Sequence, residues 1–158
     1  MKHFRLKTLL LAILLLFSSA NLYAHTPSEV ENKVRKICEK YEDTKGVDAM
    51  IIVKGEGLEL FKTMMRKEFG KTFMKGVACI SFIEYSKASS QVADALKKEL
   101  EPCYAMLEEL DLKDAKDIDD KNHIKCYVKR VDSTKLSDFI LVMDDSITYM
   151  GGEITLEQ

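Results

Sequence analysis

The sequence predicts an α+β domain with a mixed five-stranded sheet, a C-terminal three-strand antiparallel meander, and helices packed on one face. Two observations predict this class. Residues 122–154 hold three runs rich in β-branched and aromatic residues, joined by two short turns that carry Asp and Ser. Upstream, two apolar strand-like runs alternate with helical segments, and right-handed crossovers through the two middle helical segments put the helices on one face.

The N-terminal residues 1–24 have the layout of a secretory signal peptide. A basic start with Lys2, Arg5 and Lys7 precedes an apolar run at 9–17, which is too short to span a bilayer comfortably. Small residues offer cleavage after Ala24, with Ala20 as the alternative. We therefore expect an exported chain, in the periplasm or outside the cell, with a single domain at 25–158 and no stable membrane anchor after cleavage.

The charge balance excludes some partners. Loss of the three basic signal residues leaves 21 basic against 26 acidic residues, a net charge of about −5, and no basic block remains. This composition argues against binding to nucleic acid or to anionic membranes.

The first elements follow from local patterns. Ser28 is a helix cap, and the stripe Val30, Val34, Ile37 and Tyr41 predicts an amphipathic helix. The polar face of this helix is expected to carry Lys33, Arg35, Lys36 and Lys40. Residues 47–53 are apolar on both faces, which favours an internal strand.

The middle of the chain predicts a glycine turn, a second helix and a second strand. Residues 77–85 form the most continuously apolar run, so we place this strand at the centre of the sheet. Pro102 predicts that the following helix ends near residue 101 and resumes at 103–110. Residues 111–121 are acidic and lack periodicity, which predicts a loop.

The meander supplies a candidate interaction surface. Lys125, Tyr127 and Lys129 alternate with apolar residues and predict a solvated strand face, whereas 139–143 is apolar on both faces. Gly151 and Gly152 remove side-chain cover from the last strand, which predicts a β-bulge or the approach of another backbone.

The chemistry-bearing residues are few. Cys38, Cys79, Cys103 and Cys126 match no zinc or redox spacing, and Cys38 with Cys103, both on helices, is the candidate disulfide in an oxidising compartment. His25 and His123 are candidate metal ligands, since an N-terminal His binds copper through its amine and ring. No nucleophile–base pair or phosphate loop is present, so we expect no catalytic residues and no cofactor.

Four segments carry a resemblance to a known family. They are KYEDTKGVDAMIIVKGEGLELF, ISFIEYS, PCYAMLEEL and IKCYVKR…LSDFILVMDDSITYMGGEI, spread over about residues 29–156. The chain resembles the bacterial domain-of-unknown-function 4252 family, whose members look like exported Gram-negative proteins, many of them lipoproteins. The resemblance implies no established activity and no functional residues, and this chain lacks the lipoprotein cysteine.

The sequence thus favours an exported, non-catalytic envelope domain, a protein-interaction or sensing module whose partner is an envelope protein. The alternative is a small-ligand or metal carrier, which would use the Met-rich interior or His25 and His123. A hydrolase of unrecognised type is the weakest reading, because the spacing selects no catalytic pair.

Overall fold

The computed structural model describes residues 25–111 and 123–156; the predicted signal peptide and most of the predicted 111–121 loop lie outside them. Four helices and six strands occur in the described residues. In chain order they are α1 (Glu29–Tyr41), β1 (Asp48–Ile52), α2 (Glu56–Phe69), α3 (Lys71–Lys75), β2 (Val77–Glu84), α4 (Ser90–Ala105), β3 (Glu108–Leu110), β4 (Lys125–Arg130), β5 (Lys135–Met143) and β6 (Ser146–Thr155).

The sheet has six strands in the order β1-β2-β6-β5-β4-β3, and every neighbouring pair is antiparallel. The α+β class and the C-terminal meander are confirmed, but the mixed five-stranded sheet is wrong. Between β1 and β2 the chain goes out along α2, turns at Gly70 and comes back along α3, so β2 starts at the end where β1 finished. The sixth strand is the short β3, which adds to β4 at the edge.

Helices cover both faces of the sheet, so the prediction of helices on one face is also wrong. One core packs α1 and α4 against Cys79, Ile83, Ile140 and other strand residues. The second core packs α2 and α3 against Ile80 and its neighbours on the opposite face. Successive residues of a strand point to opposite sides, and this places the two cores back to back.

Helix cover on both sides explains the apolar character of β1. The sequence predicts an internal strand at 47–53, yet β1 is an edge strand. Met50 and Ile52 are buried in the α2 core, while Ala49 and Ile51 pack against the α1 core. The sequence of β1 is therefore continuously apolar because a helix layer covers each of its two faces, and not because β1 has a neighbouring strand on both sides. β2 is internal, as predicted, but the centre of the sheet lies between β6 and β5.

The helix after β2 is longer than predicted. α4 begins at the Ser89 cap, whose side chain accepts from the Val92 N–H, and continues through Pro102 to Ala105. Pro102 lies in the last turn, so its missing N–H removes a single helical hydrogen bond near an end that frays anyway. The predicted short helix at 103–110 is wrong: its second half pairs with β4 as β3.

Candidate binding face and the glycine end of the sheet

One residue from each strand contributes to a continuous row across the sheet face that carries α2 and α3. Consecutive members are register partners in neighbouring strands, so their side chains point to the same side. We name this set the cross-sheet row; from β1 to β3 it consists of Met50, Phe82, Thr148, Leu141, Cys126 and Leu110. Five strand spacings make the row about 24 Å long.

The helix layer ends along this row. The neighbouring row, two residues along strands β1, β2, β6, β5 and β4, is buried and consists of Ile52, Ile80, Met150, Phe139 and Val128. α2 crosses these strands: Phe61 lies at a narrow apolar crevice over β1 and β2, and the Phe69 ring meets the Phe139 ring of β5 at 5.8 Å. Within the cross-sheet row, by contrast, Phe82, Thr148, Leu141 and Leu110 remain partly exposed.

Carboxylates border the row on the side away from α2. Asp48 and Glu84 are register partners on this face, next to Met50 and Phe82. Asp144 and Asp145 form the exposed turn between β5 and β6 at the same end of the sheet. The border is thus acidic beside β1 and β2, whereas its register partners on β6 and β5 are Ser146 and Met143.

The opposite end of the sheet contains the predicted bulge. Register shifts occur between Val77 and Cys79 of β2 and between Leu136 and Asp138 of β5, both against the Gly151–Gly152 region of β6. Gly152 has φ +145°, and a Cβ there would lie 2.3 Å from the Gly76 oxygen. The bulge predicted from the glycine pair is confirmed.

An open groove of about 900 Å³ lies at this glycine end. Gly76, Gly152 and Ala78 contribute to its lining, which is about equally polar and apolar. The wall side chains are His25, Thr26, Thr72, Lys75, Glu153 and Thr155. The charged and polar groups among them give a polar ligand partners for hydrogen bonds.

A buried carboxylate fixes α1 to the sheet at this end. Asp138 is fully buried, and its Oδ1 accepts the Tyr149 hydroxyl at 2.7 Å and the Ser28 hydroxyl, while Oδ2 accepts the Ser137 hydroxyl at 2.7 Å. Ser28 also caps α1 by accepting the Glu31 N–H at 3.0 Å. Burial, and next the Asp138 charge, raises the pKa of Tyr149, so this hydroxyl stays protonated as a donor.

A second buried group lies beside it. Glu31 is fully buried, forms an ion pair with Arg35 one helical turn later, and places its other oxygen 3.1 Å from His25 Nε2. The Arg35 Nη2 also lies 3.6 Å from Cys79 Sγ. The prediction that Arg35 faces solvent is wrong, because its guanidinium balances the charge that Glu31 brings into the core. The absence of a side chain at Gly151 leaves space for the Tyr149 hydroxyl, since a Cβ at this position would lie 2.3 Å from it.

The structure separates the two predicted metal ligands. His25 lies at the glycine end, whereas His123 Nδ1 is 3.0 Å from Asp144 Oδ1 at the β5–β6 turn. The length of β6 between these ends is about 23 Å, so the two rings cannot share one ion. In residues 25–111 and 123–156, no group of three His, Cys, Asp or Glu side chains is arranged to hold a metal.

All four cysteines are buried free thiols. Burial raises the pKa of Cys38 and Cys79 to about 12 and that of Cys126 to about 11, which makes them poor nucleophiles. Cys38 and Cys103 belong to the same core between α1 and α4. Their disulfide is not formed in this structure and stays a prediction for the exported chain.

The predicted interaction residues do not form a single surface. Lys125, Tyr127 and Lys129 point to the α1–α4 side, and Tyr127 stacks on Tyr104 of α4 with ring centroids 4.6 Å apart. Gly151 is buried beneath α1, so the exposed members on that side are the two lysines. The sequence reading missed the cross-sheet row, because strand register is needed to align its members.

Asp138 was also missed, although a signal exists. Asp138 directly precedes the apolar run 139–143, and a carboxylate buried in such a strand needs donors. No helix in the described part of the chain is long and apolar enough to cross a membrane. Compared with known proteins, the chain matches no protein-family model, no curated protein and no solved structure, so the family resemblance stays a prediction.

Proposed function

We propose that this chain is an exported, non-catalytic domain that binds another protein through the cross-sheet row. The supporting observation is that side chains of the row remain partly exposed beside the α2–α3 layer, although five of its six members are apolar and only Thr148 is polar. A sheet face in a layered domain is normally covered by helices or is polar. Here Phe82, Leu141 and Leu110 remain partly exposed in one line, which is the kind of surface that a partner covers.

Burial of the cross-sheet row by a partner protein is energetically favourable. Burial of apolar surface contributes about 25 cal/mol per Å², so completing the burial of several partly exposed large side chains contributes a few kcal/mol to association. A few side chains near the centre of an interface supply most of its affinity, and aromatic residues and Met are enriched in interfaces. Cys126 and Met50 are already buried, so the row is a preformed floor that needs little ordering on binding.

Export rests on the N-terminal pattern at 1–24 and on the acidic composition of the remainder. Fractionation of cells that express the full chain, followed by N-terminal sequencing, tests it. A mature chain that begins at His25 or at Asn21 agrees with export, and an unprocessed cytoplasmic chain refutes it.

Site-specific photo-crosslinking tests the binding surface. A photoreactive phenylalanine analogue replaces Leu141 or Thr148 in the full chain, and the control replaces Val131, which is 66% exposed on the β4–β5 turn. We expect a defined adduct with another envelope protein at 141 or 148 and none at 131. The same adducts at all three positions, or none at 141 and 148, refute the proposal.

A second function is favoured by the glycine-end groove, which could hold a small polar ligand between Lys75, Glu153 and His25. This carrier hypothesis predicts that a panel of small polar metabolites contains one that raises the melting temperature of the native protein. The rise should be absent in Lys75→Ala and kept in Lys67→Ala, an exposed lysine on α2. A panel that gives no shift with the native protein argues against it.

A further inference from the structure

We propose that the mature chain binds a Cu²⁺ ion through the α-amine and the Nδ1 atom of His25, while the buried Glu31 carboxylate holds the imidazole ring in place. The site rests on one part of the proposed function, signal cleavage after Ala24, because only this cleavage frees the amine of His25. It does not depend on the cross-sheet row. It gives the carrier hypothesis a ligand class and named donor atoms.

The contact between His25 and Glu31 leaves one ring nitrogen available. His25 Nε2 lies 3.1 Å from Glu31 Oε2, and both atoms are buried without another hydrogen-bond partner among the described residues. A ring nitrogen this close to a carboxylate oxygen carries a proton, because two lone pairs would repel each other. In the neutral ring, a proton on Nε2 leaves the lone pair on Nδ1. Nδ1 is the ring nitrogen that forms a chelate with the α-amine of the same residue.

Glu31 is itself held firmly, so it can orient the ring. Its side chain is fully buried, and its other oxygen pairs with Arg35 on the next turn of α1. Gly151 of β6 packs close to the carboxylate, since a Cβ there would lie 3.1 Å from Oε2. A metal-bound histidine usually donates its second N–H to a carboxylate, a carbonyl or water, which fixes the ring and raises its basicity. Glu31 has this position relative to His25.

The charges buried beneath His25 favour a cation at this place. Glu31 and Asp138 are both fully buried, and Arg35 is the buried cation beside them. Both carboxylates act on Tyr149: burial raises the pKa of its hydroxyl, and the charges of Asp138 and then of Glu31 raise it further. Two carboxylates against one guanidinium leave one negative charge uncompensated, which is costly inside a protein. A Cu²⁺ ion at His25 would offset it.

The glycine-end groove gives the ion access to solvent and to further ligands. His25 lines this groove, and its side chain is 22% exposed. The groove wall carries one lysine and one carboxylate, Lys75 and Glu153, so its own charges cancel. Nitrogen donors favour Cu²⁺ over the other common divalent ions, and water can fill the remaining positions. Because one donor is a main-chain amine, this site needs no group of three His, Cys, Asp or Glu side chains.

Copper titration of the exported protein tests the site. The mature protein is purified from cells, its first residue is identified by N-terminal sequencing, and a chelator removes bound metal before calorimetry with Cu²⁺. We expect one ion per chain, with an electron paramagnetic resonance spectrum that shows two bound nitrogens. A synthetic peptide of residues 25–28 has the same amine and ring but lacks Glu31, so it should bind at least tenfold more weakly. A chain that begins at Asn21 has no free amine at His25 and should not show the two-nitrogen spectrum.

Variants show whether Glu31 orients the ring. Glu31→Gln should weaken Cu²⁺ binding at least tenfold, as is typical when the partner of a metal-bound histidine is changed. Glu29→Gln, at an exposed acid on the same helix, and His123→Ala should leave the affinity unchanged. Circular dichroism confirms that each variant is folded. If Glu31→Gln does not fold, the peptide and the Asn21 chain still decide, because both comparisons use the native network.

Several results would overturn the copper site. They are equal affinity for the mature protein and the peptide, unchanged affinity in a folded Glu31→Gln, and loss of binding in His123→Ala. A mature chain that starts at Asn21 overturns it as well, although export itself then stands. Crosslinks at 141 and 148 report on the cross-sheet row alone, so failure of the copper site and failure of the protein-binding proposal are read separately.

Discussion

The hydrogen bonds to Asp138 give the sharpest test of what holds α1 on the sheet. Tyr149→Phe removes one of the three hydroxyl donors of a fully buried carboxylate and leaves the ring in place. A hydrogen bond to a charged group contributes about 1.5–3 kcal/mol, so we expect Tyr149→Phe to lower the free energy of unfolding by about 2 kcal/mol. Asp138→Ala should cost about 4 kcal/mol, because it leaves three hydroxyls without their acceptor.

A double-mutant cycle isolates the bond. If Tyr149 stabilises the fold through Asp138, adding Tyr149→Phe to Asp138→Ala should cost little more, which gives a coupling free energy of about 1.5–2 kcal/mol. The assay is urea unfolding of residues 25–158, followed by circular dichroism and analysed as a two-state transition. Tyr104→Phe is the matched control, since it removes a tyrosine hydroxyl from a ring that stacks on Tyr127 without touching Asp138.

The expected order is Asp138→Ala most destabilising, then Tyr149→Phe, then Tyr104→Phe within about 0.5 kcal/mol of the native protein. Additive losses in the double mutant would refute the reasoning, because the two side chains would then act independently. A Tyr149→Phe loss no larger than that of Tyr104→Phe would refute it as well.

Three further outcomes follow from the same structure. Gly152→Ala should destabilise by more than about 3 kcal/mol in urea unfolding, because its Cβ would lie 2.3 Å from the Gly76 oxygen, whereas Gly55→Ala, at φ +81° with open space, should cost about 1 kcal/mol. The pKa values of Cys38, Cys79 and Cys126 are raised above the ordinary 9.0, so stability is full below about pH 9 and should fall as pH rises towards 11–12, by about 1.4 kcal/mol per pH unit for each thiol; equilibrium unfolding from pH 8 to 11 measures this. Iodoacetamide at pH 8 should label none of the four buried cysteines in the native protein and all four in urea, as read by intact mass, and a mass deficit of two labels in urea would reveal a disulfide.

Local patterns in the sequence predicted the elements that depend on near neighbours. The Ser28 cap, the stripe of α1 and the bulge at Gly151 and Gly152 all follow from residue types at fixed spacing. Two predictions fail for different reasons. The internal position of β1 is wrong because an apolar strand looks the same whether strands or helices cover it. The prediction of helices on one face assumed right-handed crossovers, which join parallel strands, whereas every neighbouring pair in this sheet is antiparallel.

The candidate site depended on information that spacing does not carry. Thr148, Leu141 and Phe82 become neighbours only through strand register across β2, β6 and β5. Arg35 follows the pattern of a solvated helix face, and its burial is decided by Glu31 and Cys79, which reach it from the helix and from the sheet. The periodicity of a sequence predicts on which face of a helix or strand a residue lies. It does not predict which residues of different elements become neighbours, and such neighbours form both the cross-sheet row and the surroundings of the buried charges.

The buried charges and the cross-sheet row lie on opposite faces of the sheet and at opposite ends of its strands. Asp138 and Tyr149 face α1, which carries Glu31, at the glycine end, while Leu141 and Thr148 lie on the face that carries α2. Residues this far apart with no shared partner contribute almost additively to stability. Asp138, Glu31 and Tyr149 can therefore stabilise the fold while the cross-sheet row serves to bind a partner. The partly exposed apolar side chains of the row lower the stability of the domain when no partner covers them. If Leu141→Lys abolishes binding of the envelope partner at unchanged unfolding free energy, and Tyr149→Phe lowers the unfolding free energy at unchanged binding, this separation of stability from recognition is established. A row variant that gains stability as it loses binding would show that the row is kept apolar for the partner.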